Sequence, residues 1–135
     1  NLENIKNYTF KINPKINLHI GKYVPLNIDD FNKEDKYLIF SGIGNHKAFI
    51  SMLKNYGINI FKDIEFPDHY KYTSHDIEKI LKLSIDENCK IITTEKDYLR
   101  LENNKIDKIN FIKSELKILN EDKFISAILK QNENY

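Results

Sequence analysis

From residue 36 onward, short apolar runs alternate with amphipathic stretches, and this alternation constrains the fold more than any other feature. Tyr37–Phe40 is a continuous apolar run that ends at Ser41–Gly42, as is typical of a strand buried on both faces. Strands that alternate with helices through short connections favour a mostly parallel sheet. We therefore predict an α/β domain over residues 36–135, with three layers and about four strands flanked by helices.

Helix boundaries are marked by local signals. Residues 46–56 place apolar side chains on one helical face, with Asn45 as the predicted N-cap and Gly57 placed to end the helix. Thr73 and Asp76 have capping-box spacing at the start of a second helix. Two strand–helix units are therefore predicted in the first half of the domain.

The first 35 residues differ in character. Lysine outnumbers acid before residue 29, and Pro14 and Pro25 interrupt any long element. The alternation over residues 9–12 and 17–20 is typical of short strands. We expect residues 1–35 to form a basic, extended linker or hairpin arm.

Composition excludes several classes of function. The formal net charge is +1, and Arg100 is the only arginine, so the chain lacks the basic field and the guanidinium forks that read nucleic acid. We expect no nucleic-acid partner. The single cysteine, Cys89, cannot form an internal disulfide, and no apolar stretch is long enough for a signal peptide or a membrane span. A cytoplasmic location is expected.

The histidines outside the polar loops form no metal pattern. His19, His46 and His75 lack metal-ligand spacing with one another or with Cys89. We interpret them as ordinary surface residues and expect no metal site in this chain.

Three polar loops follow the first three predicted core strands. Residues 41–45 follow the first strand, residues 66–70 the second and residues 93–97 the third. The carboxyl ends of parallel strands meet at one edge of a sheet, and ligands gather there. We therefore expect the three loops to converge on a candidate site.

The glycines of the first loop have two interpretations. Gly42 and Gly44, just before a helix, allow backbone N–H groups to approach an anion. A tight strand-to-helix turn needs the same residues. Lys47 stands where a dinucleotide fingerprint has its third glycine, so a nicotinamide site is not predicted.

The other two loops also allow structural interpretations. Asp68–His69 places a carboxylate beside a group that titrates near neutrality, although an Asp that fixes the turn and a surface His explain the same pair. Thr94 and Asp97 have capping-box spacing. That spacing leaves Glu95–Lys96 unexplained, because the helix dipole disfavours lysine in a first turn. A lysine there can serve a phosphate or an ion pair.

Taken in order, three segments resemble the C-terminal motifs of the tetraacyldisaccharide 4'-kinase family: Phe40–Asn45, Phe66–Thr73 and Thr93–Tyr98. The resemblance covers about Tyr37–Leu101. It departs at His46, where the family pattern has a proline that merely presets the first helical residue.

The resemblance implies a kinase that transfers the γ-phosphoryl group of ATP, with Mg²⁺, to the 4'-hydroxyl of a tetraacyldisaccharide 1-phosphate in lipid A biosynthesis. It also implies work at the cytoplasmic face of the inner membrane and a P-loop in an N-terminal domain. The pattern Gly-x-x-x-x-Gly-Lys-[Ser/Thr] is absent from this sequence, which starts at Asn1. We therefore expect a part of a longer protein, inactive without a P-loop domain that binds most of the ATP and Mg²⁺.

The same resemblance implies roles for single residues. His69 would assist an aspartate of the N-terminal domain that deprotonates the sugar hydroxyl, and Asp68 would orient His69. The remaining candidates are nucleotide or domain-interface residues: Gly42, Gly44, Asn45, Thr94, Glu95, Lys96 and Asp97. An alternative from another class is a non-catalytic module that binds a nucleotide or a phosphorylated glycolipid.

Overall fold

The structure is a computed structural model, and it describes residues 2–101 and 106–132. In chain order its helices and strands are α1 (Leu2–Ile12), β1 (Gly21–Pro25), β2 (Tyr37–Ser41), α2 (His46–Asn55), β3 (Ile60–Glu65), α3 (Ser74–Asp86), β4 (Lys90–Thr94), α4 (Glu95–Tyr98), β5 (Ile109–Ile112), β6 (Ser114–Ile118) and α5 (Glu121–Asn132). The chain divides into two compact units, Val24–Glu115 and a second that combines Asn1–Tyr23 with Leu116–Tyr135. The predicted division into residues 1–35 and 36–135 stays a prediction.

The larger unit contains a four-stranded sheet in the order β3-β2-β4-β5, and every neighbouring pair is parallel. The predicted parallel sheet of about four strands is confirmed. The register pairs Ser41 with Glu65, and Thr94 with Ile112. The carboxyl ends of the four strands therefore lie along one edge.

Helices cover both faces of this sheet, because alternate residues of the buried central strand β2 enter different cores. Tyr37 and Ile39 pack with the apolar face of α2, including Leu53, whereas Leu38 and Phe40 pack with the apolar face of α3. All four of these β2 side chains are at most 1% exposed. Burying each contributes about 1.5–3 kcal/mol, and the result is the predicted three-layer arrangement.

The smaller unit corrects the prediction for the start of the chain. Residues 9–12, predicted as a strand, lie in α1, and the strand predicted at residues 17–20 instead begins at Gly21 as β1. The helix wins because Leu2, Ile5 and Ile12 recur at helical spacing, which a short alternating run does not exclude. The helix α1 also carries an acid in its first turn and a lysine in its last turn, in the favoured order along the helix dipole. Strand β1 pairs with β6 in a separate two-stranded sheet.

The predicted helix boundaries are confirmed. Asn45 accepts a hydrogen bond from the backbone N–H of Ala48 at 3.1 Å. Gly57 has a φ of 85°, in the left-handed region that glycine reaches without strain. At the start of α3, Thr73 and Asp76 form a complete capping box.

Because of this capping box, the stability of the fold should decrease as the pH falls into the acid range. One Asp76 oxygen accepts bonds from the hydroxyl and N–H of Thr73 and, at 3.2 Å, from Tyr70. These bonds, that from the Thr73 hydroxyl first, lower the pKa of Asp76 below its ordinary value, although burial opposes them. A depressed folded pKa means that the stabilisation is complete above the unfolded pKa of about 3.9 and is lost as pH falls through the folded pKa.

We therefore expect Asp76→Ala to destabilise the chain by about 1 kcal/mol at neutral pH and by progressively less in acid. Urea unfolding followed by circular dichroism at several pH values measures this difference. Thr73→Ala serves as the matched background, in which the acid dependence of the Asp76 effect should become smaller, because the hydroxyl that lowers the pKa of Asp76 most is absent. A cost that stays constant down to about pH 2 would contradict the account.

Candidate functional site

The three loops at the carboxyl edge of the sheet meet, as predicted. The backbone N–H of His69, from the second loop, donates to the carbonyl of Gly42, from the first loop, at 3.1 Å. The hydroxyl of Tyr72, two residues after the second loop, donates to the Asp97 carboxylate of the third loop at 3.0 Å. Parallel strand ends and direct hydrogen bonds thus bring together segments about 25 to 55 residues apart in sequence.

The two glycines of the first loop allow the second loop to approach closely. A Cβ at Gly42 would lie 3.0 Å from both the Pro67 carbonyl oxygen and the Tyr72 hydroxyl. A Cβ at Gly44 would lie 3.3 Å from an Asp68 carboxylate oxygen. The close approach of the second loop thus favours glycine at both positions, a reason that differs from the predicted tight strand-to-helix turn. Asn45, beside them, is occupied as the cap of α2.

His69 is displayed on a constrained turn. Its φ is 58°, a left-handed conformation that is uncommon for a residue with a side chain. The Asp68 carboxylate fixes the turn by accepting the His69 backbone N–H at 3.0 Å. The other Asp68 oxygen lies 3.8 Å from Nε2 of the ring, too far for a hydrogen bond. The ring is 70% exposed, so it is available to another molecule or domain.

Arg100, which no sequence pattern indicated, lies within hydrogen-bonding distance of the His69 ring. Its Nη2 atom lies 3.1 Å from the ring atom Nδ1. Its Nη1 atom donates to the Gly42 carbonyl at 3.2 Å and to Asp97 at 3.3 Å. One guanidinium therefore connects all three loops. The sequence distinguishes Arg100 only as the single arginine of the chain. Its contact with His69 spans 31 positions, so no local pattern predicts it.

Asp97 is the buried centre of this network. It is 0% exposed, and Thr94, the N-cap of α4, donates its hydroxyl to it at 2.6 Å. Burial raises the pKa of the Tyr72 hydroxyl far above its ordinary value, and the Asp97 carboxylate raises it further. Tyr72 thus remains a donor to Asp97. Thr94 and Asp97 have structural roles, whereas Glu95 and Lys96 lie exposed on the same short helix.

His46 was wrongly predicted as a surface residue. It is 2% exposed, because the first turn of α2 directs it between two strands. Its Nδ1 lies 2.6 Å from the Ser41 hydroxyl oxygen, and its Nε2 lies 2.9 Å from an Asp63 carboxylate oxygen. The order Ser-His-Asp is that of a nucleophile triad, but Ser41 is 0% exposed, so no substrate reaches its hydroxyl. The arrangement ties α2 to β2 and β3.

We expect His46→Ala to reduce the free energy of unfolding by about 2–4 kcal/mol, because it leaves a cavity and a buried Ser41 hydroxyl without its partner. The control is His75→Ala, which removes an exposed imidazole from α3 and should change stability by about 0.5 kcal/mol or less. Urea titration of both variants gives the comparison. Equal losses of stability in the two variants would show that the buried hydrogen bonds of His46 to Ser41 and Asp63 do not stabilise the fold.

The candidate site residues lie along the carboxyl edge of the sheet. A cavity of about 590 Å³ lies elsewhere, beside β4 and β5, and none of the predicted site residues lines it. Over residues 2–101 and 106–132, no group of three or more His, Cys, Asp and Glu side chains could hold a metal ion. No helix in the same ranges is long and apolar enough to cross a membrane.

Comparison with protein families decides the relationship. The model of the family described as Tetraacyldisaccharide-1-P 4'-kinase matches residues 3–133. The chain belongs to this family.

Individual members of the tetraacyldisaccharide-1-P 4'-kinase family show the same relationship. The tetraacyldisaccharide 4'-kinase of Pelagibacter ubique is 50% identical over 129 residues, which cover 96% of this chain and 41% of that protein. The kinase of Rickettsia akari is 39% identical over 116 residues, 84% of this chain and 35% of that protein. The chain therefore spans about two-fifths of the length of the curated relatives it matches.

One solved structure is also similar. It is described as the "apo" form of LpxK from Aquifex aeolicus in complex with ATP, and it is 23% identical, with a TM-score of 0.48. The match covers 96% of this chain and 44% of that one.

Proposed function

We propose that this chain is the C-terminal domain of a tetraacyldisaccharide 4'-kinase. The whole enzyme transfers the γ-phosphoryl group of ATP to the 4'-hydroxyl of a tetraacyldisaccharide 1-phosphate in lipid A biosynthesis. The observation that carries the proposal is the 50% identity to the Pelagibacter ubique kinase over 96% of this chain. The site residues are consistent with it, because an exposed imidazole is held on a rigid turn at the sheet edge.

ATP and Mg²⁺ are bound mainly by an N-terminal P-loop domain that is not part of this sequence. The fit of the residues in hand supports this division. The sequence contains no P-loop pattern, the motif whose backbone N–H groups cradle the phosphates and whose Ser/Thr hydroxyl binds Mg²⁺. Bound Mg·ATP would supply the phosphoryl group. Gly42, Gly44, Asn45 and Glu95–Lys96 lie at the edge that would face it or the domain interface.

Within this division of labour, His69 is the residue of this chain that takes part in the chemistry. Its imidazole contacts the carboxylate of an aspartate in the N-terminal domain, and that aspartate removes the proton of the sugar hydroxyl. Asp68 supports His69 through the backbone turn. A group that assists a general base in this way contributes about 10²-fold or more to the rate.

The enzyme acts on an acylated substrate, so we place it on the cytoplasmic face of the inner membrane as a peripheral protein. The exposed apolar side chains of α1, among them Ile5 and Tyr8, and the exposed lysines Lys11 and Lys15 are available for this contact. A lysine near an anionic surface contributes about 1 kcal/mol.

The direct test is a chimera in which this chain replaces the matching 129-residue segment of the Pelagibacter ubique kinase. We expect phosphoryl transfer from labelled ATP to the disaccharide 1-phosphate by the chimera, and none by this chain alone. A folded chimera without activity would contradict the proposed reaction. Activity of the chain alone would contradict the need for a P-loop domain.

Calorimetric titration of the chain with ATP and with the disaccharide 1-phosphate tests the alternative of a non-catalytic binding module. Half of a two-domain site should bind either ligand only weakly, since most contacts are missing. Micromolar or tighter binding, corresponding to about −8 kcal/mol or better, would favour the module.

A further inference from the structure

Arg100 makes two hydrogen bonds besides its contact with His69. Its Nη1 donates to the Gly42 carbonyl oxygen at 3.2 Å and to the Asp97 carboxylate at 3.3 Å. Asp97 is itself held by Thr94 and Tyr72 and is 0% exposed. The guanidinium, at 22% side-chain exposure, is therefore held between the loop that follows β2 and a buried carboxylate on α4.

The remaining contact of Arg100 determines the chemistry of the His69 ring. A guanidinium carries only donors and stays charged at all relevant pH values. Since Nη2 lies 3.1 Å from Nδ1, Nδ1 must accept, and it therefore carries no proton. The neutral ring then holds its single proton on Nε2.

The surroundings of Nε2 leave its proton free to bond to another molecule or domain. No described side chain lies within hydrogen-bonding distance of Nε2, since the Asp68 oxygen is 3.8 Å away. The ring is 70% exposed. The Gly42 carbonyl accepts both the backbone N–H of His69 and the Arg100 guanidinium, so the backbone and the ring are fixed from one point. The Nε2–H donor is therefore exposed and has no acceptor within hydrogen-bonding distance among the described side chains.

We propose that Arg100 is a positioning residue that selects the Nε2–H tautomer of His69 and aims this donor at the carboxylate of the partner domain. The effect of Arg100 on catalysis rests on the proposed function. The tautomer of His69 does not depend on that function. Arg100 touches neither substrate nor nucleotide in this account. It acts through His69 alone.

The tautomer is measured on this chain, without any kinase assay. Nuclear magnetic resonance of ¹⁵N-histidine-labelled chain at about pH 9, where histidine side chains are ordinarily neutral, distinguishes protonated from unprotonated ring nitrogens. The His69 signals are assigned by their loss in His69→Asn. We expect an unprotonated Nδ1 and a single tautomer in the wild type. In Arg100→Lys, which keeps a charge beside Asp97 but loses the fork, the shifts should move towards the average of two exchanging tautomers.

Two results overturn the proposal: an Nδ1–H tautomer in the wild-type chain, or identical ring shifts in the wild type and a folded Arg100→Lys variant. If the variant fails to fold, the wild-type spectrum alone still tests the proposal, because it shows which ring nitrogen of His69 carries the proton.

A kinetic cycle in the full-length chimera tests the consequence. Arg100→Lys should lower kcat about 10-fold with little change in KM, and in a His69→Asn background it should have no further effect. Additive losses would show that Arg100 does not act through His69. Should His69→Asn leave kcat unchanged while the tautomer shifts as expected, the proposed role of His69 fails and the positioning by Arg100 stands.

Discussion

Replacing His69 by asparagine is expected to lower the kcat of the kinase that contains this chain by ~100-fold. Asparagine is the sharpest variant because it tolerates a left-handed backbone, and His69 has a φ of 58°. The turn that joins the second loop to Gly42 is therefore retained, whereas the imidazole is lost. His69→Ala removes the same ring but adds backbone strain, so it should be equally inactive and less stable.

The control is His75→Asn, which removes an imidazole from a position outside the candidate site. His75 is exposed near the start of α3, and its replacement should leave kcat within about twofold of the wild type. Steady-state kinetics over a range of disaccharide concentrations separates kcat from KM. If His69→Asn raises KM and leaves kcat unchanged, His69 binds substrate in the ground state and does not assist the base.

Removing the Asp97 carboxylate is expected to have the largest effect on stability. Asp97→Ala leaves Arg100 without its ion-pair partner and the Tyr72 hydroxyl without an acceptor, both in a largely buried setting. Breaking a buried pair by removing one partner costs about 3–5 kcal/mol. Asp97→Asn keeps the shape and one acceptor oxygen, so a smaller loss is expected.

The matched control is Asp86→Ala. Asp86 is exposed and ends α3, where an acid is unfavourable to the helix dipole, so its removal should cost nothing measurable. Urea unfolding followed by circular dichroism gives all three free energies. A loss below about 1 kcal/mol for Asp97→Ala would mean that the network is solvated and does not hold the loops together.

The parallel sheet and its helices could be predicted because their determinants are local. The continuous apolar run of β2, the Asn45 cap and the Thr73 capping box each involve residues within a few positions of one another. The convergence of the three loops then followed from topology, since parallel strands place their carboxyl ends together. This topology placed His69, Asp68, Thr94 and Asp97 at one edge, and the functional roles that the family resemblance implies for them stay predictions.

The start of the chain shows where local patterns are insufficient. Residues 9–12 fit both a short strand and the last turn of a helix, because a run of four residues contains too few turns to separate a period of 2 from one of 3.6. The longer spacing over Leu2–Ile12 decides for the helix.

The sequence by itself determined the order of strands and helices from Tyr37 onward, the edge at which the three loops meet and the family to which its motifs point. Tertiary structure alone decided that His46 is buried between Ser41 and Asp63, and that Arg100 joins His69 to Asp97. The physical reason is distance along the chain. The His46–Asp63 contact spans 17 positions, and the contact of Arg100 to Gly42 spans 58, so these partners meet only once the strands between them have paired and fixed the register.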